Sequence, residues 1–426
     1  MTQAFGPGRE PSRPGDLKRL APRGLASPES PEGARRDKIR PVQGPVYLDH
    51  NATTPLDPRV REAMLPWLGE IFGNPSSAHA FGQAAREAVE RARASVAELL
   101  GGRPAEIVFT GSGTEANNAV MFDVARRAEN RGHLVISALE HPSIRETASR
   151  LESMGMSVSR VQPNSDGVVT ADAVEAALRP DTLLVCLMLA NNELGTIQPV
   201  AEVSRRCRER GIPVLCDAVQ AVGKIAVSVE ALGVDYLTLG GHKFYGPLGA
   251  AALWVRTGSA LDGLLVGGPQ ERRRRASTEN VPAIVGLGKA AEIAVSDLPQ
   301  RAAFLGGLRE RFEEGLLRLP DAVVHCTGAE RLPHTSNIAL LGAAGDSLLI
   351  RLDLRGFAVS TGSACSSGAV EPSKTLLAIG LSEAEARSSI RVSFGISNTP
   401  DEVDAFLDAL GTEAAELRRF SSALIL

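Results

Sequence analysis

The sequence predicts an α/β protein: a large, doubly wound, mostly parallel sheet, followed by a smaller α+β unit. Two observations carry that prediction. From about residue 46, short runs rich in Val, Ile and Leu alternate with helical stretches. Strands buried on both faces of a parallel sheet read as continuous apolar runs, and parallel pairing requires crossover helices. After about residue 300 the alternation gives way to long helical patterns with little strand character between them.

In chain order, residues 1–45 are rich in Pro, Gly and Arg, as in GPGREPSRPGD, and show no apolar periodicity, so a disordered tail is expected. Acidic residues are interspersed there and no amphipathic face is visible, which disfavours an organelle transit peptide. The runs EIVFTG, HLVISAL, TLLVCLMLA, IPVLCDA, VDYLTLGG and AALWVRTG are expected strands. GQAAREAVERARASVAELL and PVAEVSRRCRER are expected helices between them. Residues 46–298 are assigned to the large domain and residues 299–426 to the small one. The small domain is expected to have helices around AAFLGGLRERFEEGLL and DEVDAFLDALGTEAAELRRF.

Composition narrows the function. With 46 Lys+Arg against 50 Asp+Glu, the formal charge is −4, which argues against nucleic acid as the main partner. No apolar run reaches the roughly 18–20 residues of a membrane span, and the N-terminus lacks the apolar core of a signal peptide. Five cysteines without a C-x-x-C pair fit neither a disulfide framework nor a zinc site, so a reducing cytoplasm is the expected setting and no metal is expected.

The chemistry gathers at strand ends. Lys243 lies in GGHKFYGP, directly after the strand VDYLTL. A lone lysine there is more often a surface charge, but three further groups share its placement. Asp217 closes IPVLCD, His141 follows HLVISAL, and the loop GSGTEANN follows EIVFT and opens a helix. A doubly wound sheet converges such positions on a ligand at its carboxyl edge. Each group suits pyridoxal 5′-phosphate (PLP). Lys243 would form an imine with its aldehyde. Asp217 would hold the pyridine nitrogen protonated. His141 would stack on the ring, and Gln220 would donate to its phenolic oxygen. The Gly113–Thr114 backbone at a helix N-terminus is a ready phosphate cradle. Singly, each has a blander explanation, as a helix cap or a turn.

Eight motifs, in order and in register from about residue 46 to 410, resemble the cysteine desulfurases. They are LDHNATTP (48–55), GNPSSAHAFG (73–82), NNELGTIQP (191–199), DAVQAVGK (217–224), GGHKFYGP (240–247), STENV (277–281), STGSACSSG (360–368) and SSIRVSFG (388–395). That family belongs to the class V aminotransferase branch of fold-type I PLP enzymes. The GSAC loop resembles the nitrogenase-type and housekeeping group, which has a long mobile loop. The resemblance implies that Cys365 takes sulfur from L-cysteine as a persulfide and that L-alanine is released. A cysteine among Gly, Ser and Ala packs poorly, whereas Cys186 and Cys216 sit in strand-like runs, Cys207 in a charged helix and Cys326 before a turn. It further implies that Arg391 grips the substrate carboxylate and that Asn192 contacts cofactor and substrate. His242 and, from the neighbouring subunit, Thr278 would complete the phosphate site, which implies a homodimer. The sulfur would pass to acceptor proteins such as an iron–sulfur scaffold or a tRNA-thiolation protein.

The chain departs from the family at four positions. Gly240 stands where many relatives carry a phosphate-touching serine, and Pro269, Arg273 and Ser277 stand where glycine is usual. The run Arg272–Arg275 is expected to be solvated or interfacial in an acidic chain. The chain also lacks the longer C-terminal tail with which housekeeping members help dock a scaffold, which leaves that docking mode open. A selenocysteine lyase or another class V aminotransferase is the alternative enzyme, although an aminotransferase has no need of a loop thiol. A catalytically silent assembly partner of the same fold is a third reading, against which the intact set Lys243, Asp217, His141 and Cys365 weighs.

Overall fold

The computed structural model describes residues 44–361 and 372–423. Nearly all of the expected tail, and Cys365 with its neighbours, lie outside the described residues. A short strand, β1 (Val46–Tyr47), opens the fold. The large sheet follows, built from β2 (Ile107–Thr110), β3 (His133–Ser137), β4 (Ser157–Val161), β5 (Thr182–Cys186), β6 (Val214–Asp217), β7 (Tyr236–Gly240) and β8 (Ala251–Val255). Its order is β2-β8-β7-β6-β5-β3-β4. The stretch from β4 to β7 is parallel, while β8 runs antiparallel to both β7 and β2. The cause is local: residues 241–250 join β7 to β8 without a crossover helix, so the chain turns straight back.

All six apolar runs read from the sequence are strands of this sheet. The seventh strand, β4, was not among them. Its sequence SVSRV carries polar residues on an edge with one face partly solvated, so it lacks the continuous apolar signature of its neighbours. Residues alternate between two cores, as a sheet covered on both sides requires. In β3, Leu134 and Ile136 pack on one face with the Gly113–Arg127 and Pro142–Ser153 helices. Val135 points to the other, which the Ala80–Leu100 and Val200–Glu209 helices cover.

The remaining strands are β9 (Ala322–Val324), β10 (Thr335–Leu340), β11 (Phe357–Ala358) and β12 (Ser389–Ser393). An antiparallel sheet β12-β10-β9 forms beside a separate parallel pair of β1 with β11. The core over these strands centres on Phe312, which meets Phe394 edge-on at 5.7 Å and stacks on Phe406 at 5.6 Å. One helix, Val281–Leu316, serves both regions. Val281 to Ala294 join the large-sheet core and Leu305 to Leu316 the small one, so the expected division at residue 298 falls within a continuous helix.

A buried ion pair ties the segment before that helix to the large sheet. Arg93, on the Ala80–Leu100 helix, sends both Nη atoms to Glu271 at 2.7 Å, and Glu271 also accepts the Phe109 N–H at 2.9 Å. Both side chains are almost wholly buried. Removing one partner strands the other charge in the interior. Arg93→Met is therefore expected to lower unfolding stability by about 3–5 kcal/mol, and pairing it with Glu271→Leu to recover much of that loss. Chemical denaturation of the two variants measures both effects.

Candidate active site

The site is built where the sheet meets the segment after β1. Asp217 ends β6, and its carboxylate accepts Asn117 Nδ2 at 2.8 Å and the Val219 N–H at 3.0 Å. Asn117, on the Gly113–Arg127 helix, also donates to Ser143 Oγ at 3.0 Å. Ser143 leads to His141, which is the N-cap of the Pro142–Ser153 helix. Its Nδ1 accepts the Ser143 N–H at 3.1 Å, which leaves the proton of the neutral ring on Nε2. Burial holds His141 below the usual histidine range, with the positive charges of Lys243 and Arg145 adding to the effect and Asp217 opposing it. The ring is therefore uncharged at neutral pH and held at a fixed angle by its capping role.

Lys243 lies in the short turn Gly241–Lys243 between β7 and β8. Its Nζ donates to the backbone oxygens of Asn51 at 2.7 Å and Ala52 at 2.8 Å. Gln220 Nε2 donates to the same Asn51 oxygen at 2.9 Å, and Lys224 Nζ donates to Gln220 Oε1 at 2.8 Å. Lys224 is buried, and desolvation together with the charges of Lys243 and Arg391 pushes its amine well below the usual lysine range. His242 Nδ1 lies 3.0 Å from Thr53 Oγ1, and burial lowers this histidine to about 4. Thr54 N–H and Oγ1 both donate to the His242 oxygen, at 2.9 and 3.0 Å. The LDHNATTP segment thus clamps the lysine turn from above.

Arg391 lies on β12, buried, with Nη1 donating to the Asn192 oxygen at 2.9 Å and Nη2 to Asp49 Oδ1 at 2.6 Å. Its Nε is a buried donor without a hydrogen-bond partner among the described residues. At the N-terminus of the Gly113–Arg127 helix, Ser112 Oγ accepts the Glu115 N–H. The N–H groups of Gly113 and Thr114 make no hydrogen bond among the described residues. One set of hydrogen bonds therefore brings Lys243, Gln220, Asn192, Arg391 and His242 around the 49–54 segment, and a second joins Asp217 to His141 through Asn117 and Ser143. Thr278 does not join either set; it is exposed on the irregular stretch before the Val281–Leu316 helix.

Three residues that sequence reasoning did not single out hold these sets together: Asn51, Asn117 and Lys224. All three lie inside motifs quoted from the sequence. Asparagine carries no charge pattern to mark it, however, and Lys224 lies in a turn well after β6, with no strand-end placement to set it apart.

The family departures have a backbone meaning. Arg273 and Ser277 sit at φ +65° and +98°, in the left-handed region that favours glycine, and Glu271 and Arg272 precede them at +46° and +58°. Pro269, at φ −82°, carries no such strain. At Gly240 a Cβ would meet nothing closer than 3.6 Å, so a serine would fit and its absence is not steric. Of the arginine run, Arg275 pairs with Glu115 at 2.8 Å, while Arg272 and Arg274 reach the Ala105 oxygen. Because Ser277 has the larger φ, Ser277→Gly is expected to raise unfolding stability by about 1 kcal/mol. Thermal and denaturant melts compared with the native chain measure the gain.

Known proteins resemble this chain in sequence and fold. The aminotransferase class-V family model matches residues 46–406. The cysteine desulfurase IscS of Dictyoglomus turgidum is 43% identical over 378 residues, covering 88% of this chain and 96% of that protein. A solved NifS-like protein superposes with a TM-score of 0.82 at 38% identity, covering 87% of this chain and all of that one. The structure of SspA in complex with cysteine gives a TM-score of 0.74 at 37% identity, covering 82% and 98% of the two chains. The chain belongs to the aminotransferase class-V family and, within it, to the cysteine desulfurases.

Proposed function

We propose that this cysteine desulfurase holds pyridoxal 5′-phosphate among Lys243, Asp217, His141 and the Gly113–Thr114 backbone, and passes the sulfur of L-cysteine to Cys365. The observation that carries the reading is the placement of an amine, a buried carboxylate and two open N–H groups at the carboxyl edge of one sheet. That donor set fits the cofactor. The open N–H groups at a helix N-terminus suit a phosphate, aided by Thr114 and His242. The Asp217 carboxylate, fixed by Asn117 and Val219, suits a protonated pyridine nitrogen, and Gln220 keeps one amide hydrogen for a ring oxygen. When bound, the cofactor supplies an electron sink for negative charge at the substrate α-carbon.

The chain's own groups divide the remaining work. Arg391 takes the substrate carboxylate, for which its fork geometry and its unmatched Nε are suited, with Asn192 beside it. Lys243 Nζ would be the base that lifts the α-proton of the substrate. Asp217 keeps the pyridine proton in place by charge. The Cys365 thiolate forms a bond to the substrate sulfur as the carbon–sulfur bond breaks. The electron pair stays with the carbon skeleton, which takes up one proton at Cβ, regains the α-proton from Lys243 and leaves as L-alanine, while Cys365 carries the persulfide. Support for Cys365 comes from the other thiols. Cys186, Cys207, Cys216 and Cys326 are all buried and free. Desolvation raises each of them, Cys207 to about 11 and Cys326 to about 12, so none is a ready thiolate.

Thr278, exposed on the single chain, is read as a phosphate contact to a second copy, making the working unit a homodimer. The persulfide then serves protein acceptors for iron–sulfur cluster assembly or tRNA thiolation in the cytoplasm. Among the described residues, no helix is long and apolar enough to cross a membrane.

Cys365→Ser is expected to retain the cofactor and the spectral response to cysteine but to release essentially no sulfur, because a serine hydroxyl stays protonated at neutral pH. Peptide mass spectrometry of the native protein after cysteine should find one added sulfur on the Cys365 peptide; finding it on Cys186 or Cys216 would overturn the assignment. Asp217→Asn is expected to keep the fold and lose turnover by orders of magnitude, since a neutral amide cannot hold the pyridine nitrogen protonated. Near-normal alanine production by that variant would remove Asp217 from the site.

A further inference from the structure

Two tethers meet at the dipeptide Asn192–Glu193. The Asn192 oxygen accepts from Arg391, and Arg391 pairs through its backbone with Ser360, with N–H···O distances of 2.6 and 3.2 Å. The next residue, Glu193, is buried, and its two carboxylate oxygens accept from Ser373 Oγ at 2.5 Å and Thr375 Oγ1 at 2.9 Å. Glu193 is itself immobilised, its N–H donating to Asn191 Oδ1 and its oxygen accepting from Asn337 Nδ2. Ser360 and Ser373 bracket the stretch that contains Cys365, which lies five residues after the first and eight before the second.

We propose that Glu193 is a positioning residue for sulfur transfer: it fixes where the Cys365-bearing stretch re-enters the fold, beside the Asn192–Arg391 pair that would hold the substrate. The inference rests on the reading of Cys365 as the sulfur acceptor. Bonds from a buried carboxylate to two hydroxyls are stronger than neutral ones, and they join elements far apart in sequence. Without them Ser373 and Thr375 lose the side-chain contacts that fix the point from which the chain leads back to Cys365. None of the three side chains needs to touch the substrate, so the effect belongs to the transfer step and not to substrate binding.

The test uses the cofactor-loaded enzyme carrying Glu193→Ala, mixed rapidly with L-cysteine. Absorbance follows cysteine binding, and quenched samples analysed by mass spectrometry follow sulfur arriving on the Cys365 peptide. The apparent Kd for cysteine is expected to stay within about threefold of the native value. Sulfur arrival is expected to slow by about 10- to 100-fold, the scale that a shift of about 1 Å in a reacting group produces. Glu193→Gln, which can still bond both hydroxyls, should restore most of the rate. The double variant Ser373→Ala with Thr375→Val should reproduce the loss, and adding Glu193→Ala to it should cost little more, because the same contact is already gone. An unchanged arrival rate, or a loss of cysteine binding equal to the loss of transfer, overturns the proposal. If Glu193→Ala does not fold, the Ser373/Thr375 variant decides alone by the same two readouts. Cys365→Ser judges the underlying reading separately, since sulfur release by that variant would overturn the acceptor assignment whatever Glu193 does.

Discussion

Asn51 is the residue through which the parts of the site hold one another in place. Its backbone oxygen receives both Lys243 and Gln220, and its N–H donates to Ser393 Oγ on β12. Its side-chain amide donates to Thr335 Oγ1 and the Asn192 oxygen, while Oδ1 lies 2.7 Å from His334 Nε2. Asn51 thus links the turns at the carboxyl edge of the large sheet to the small antiparallel sheet while lying outside both. This bridge, with the Arg391 bonds to Asn192 and Asp49, ties β12 to the segment that holds Lys243. A buried amide serves here because it offers two donors and an acceptor without the desolvation cost of a charge.

Legibility in the sequence follows how each feature is encoded. Strands β2, β3, β5, β6, β7 and β8 were readable because burial on both faces leaves an unbroken apolar run. Strand β4 was not, because an edge strand such as SVSRV mixes signals. The direction of β8 was also hidden: apolarity says that a strand is buried, not which way it runs, and only the short 241–250 link decides that. In the site, Asp217, Lys243 and His141 announced themselves by charge or ring type at strand ends. Asn51, Asn117 and Glu193 matter through partners 26 to 342 residues away, which no local pattern records.

The arginine-rich segment shows a different kind of constraint. Three successive residues, Glu271 to Arg273, hold left-handed backbone angles without a glycine among them. Such geometry persists only when the surroundings over-determine it, and here they do. Arg93 and the Phe109 N–H fix Glu271 from one side, and Glu115 fixes Arg275 from the other. The four arginines that look like a solvated charge run are, at Arg275, part of the support for the N-terminal turn of the Gly113–Arg127 helix.

The burial of four thiols shapes how the protein meets oxidants and electrophiles. Cys186, Cys207, Cys216 and Cys326 are shielded from solvent and protonated at neutral pH, so alkylating agents and peroxides find little to attack there. A reagent that labels the folded chain is therefore expected to leave these four thiols unmarked. The thiols that pack the core are thereby kept apart from oxidant chemistry, so the fold does not depend on a reducing surrounding to hold them intact.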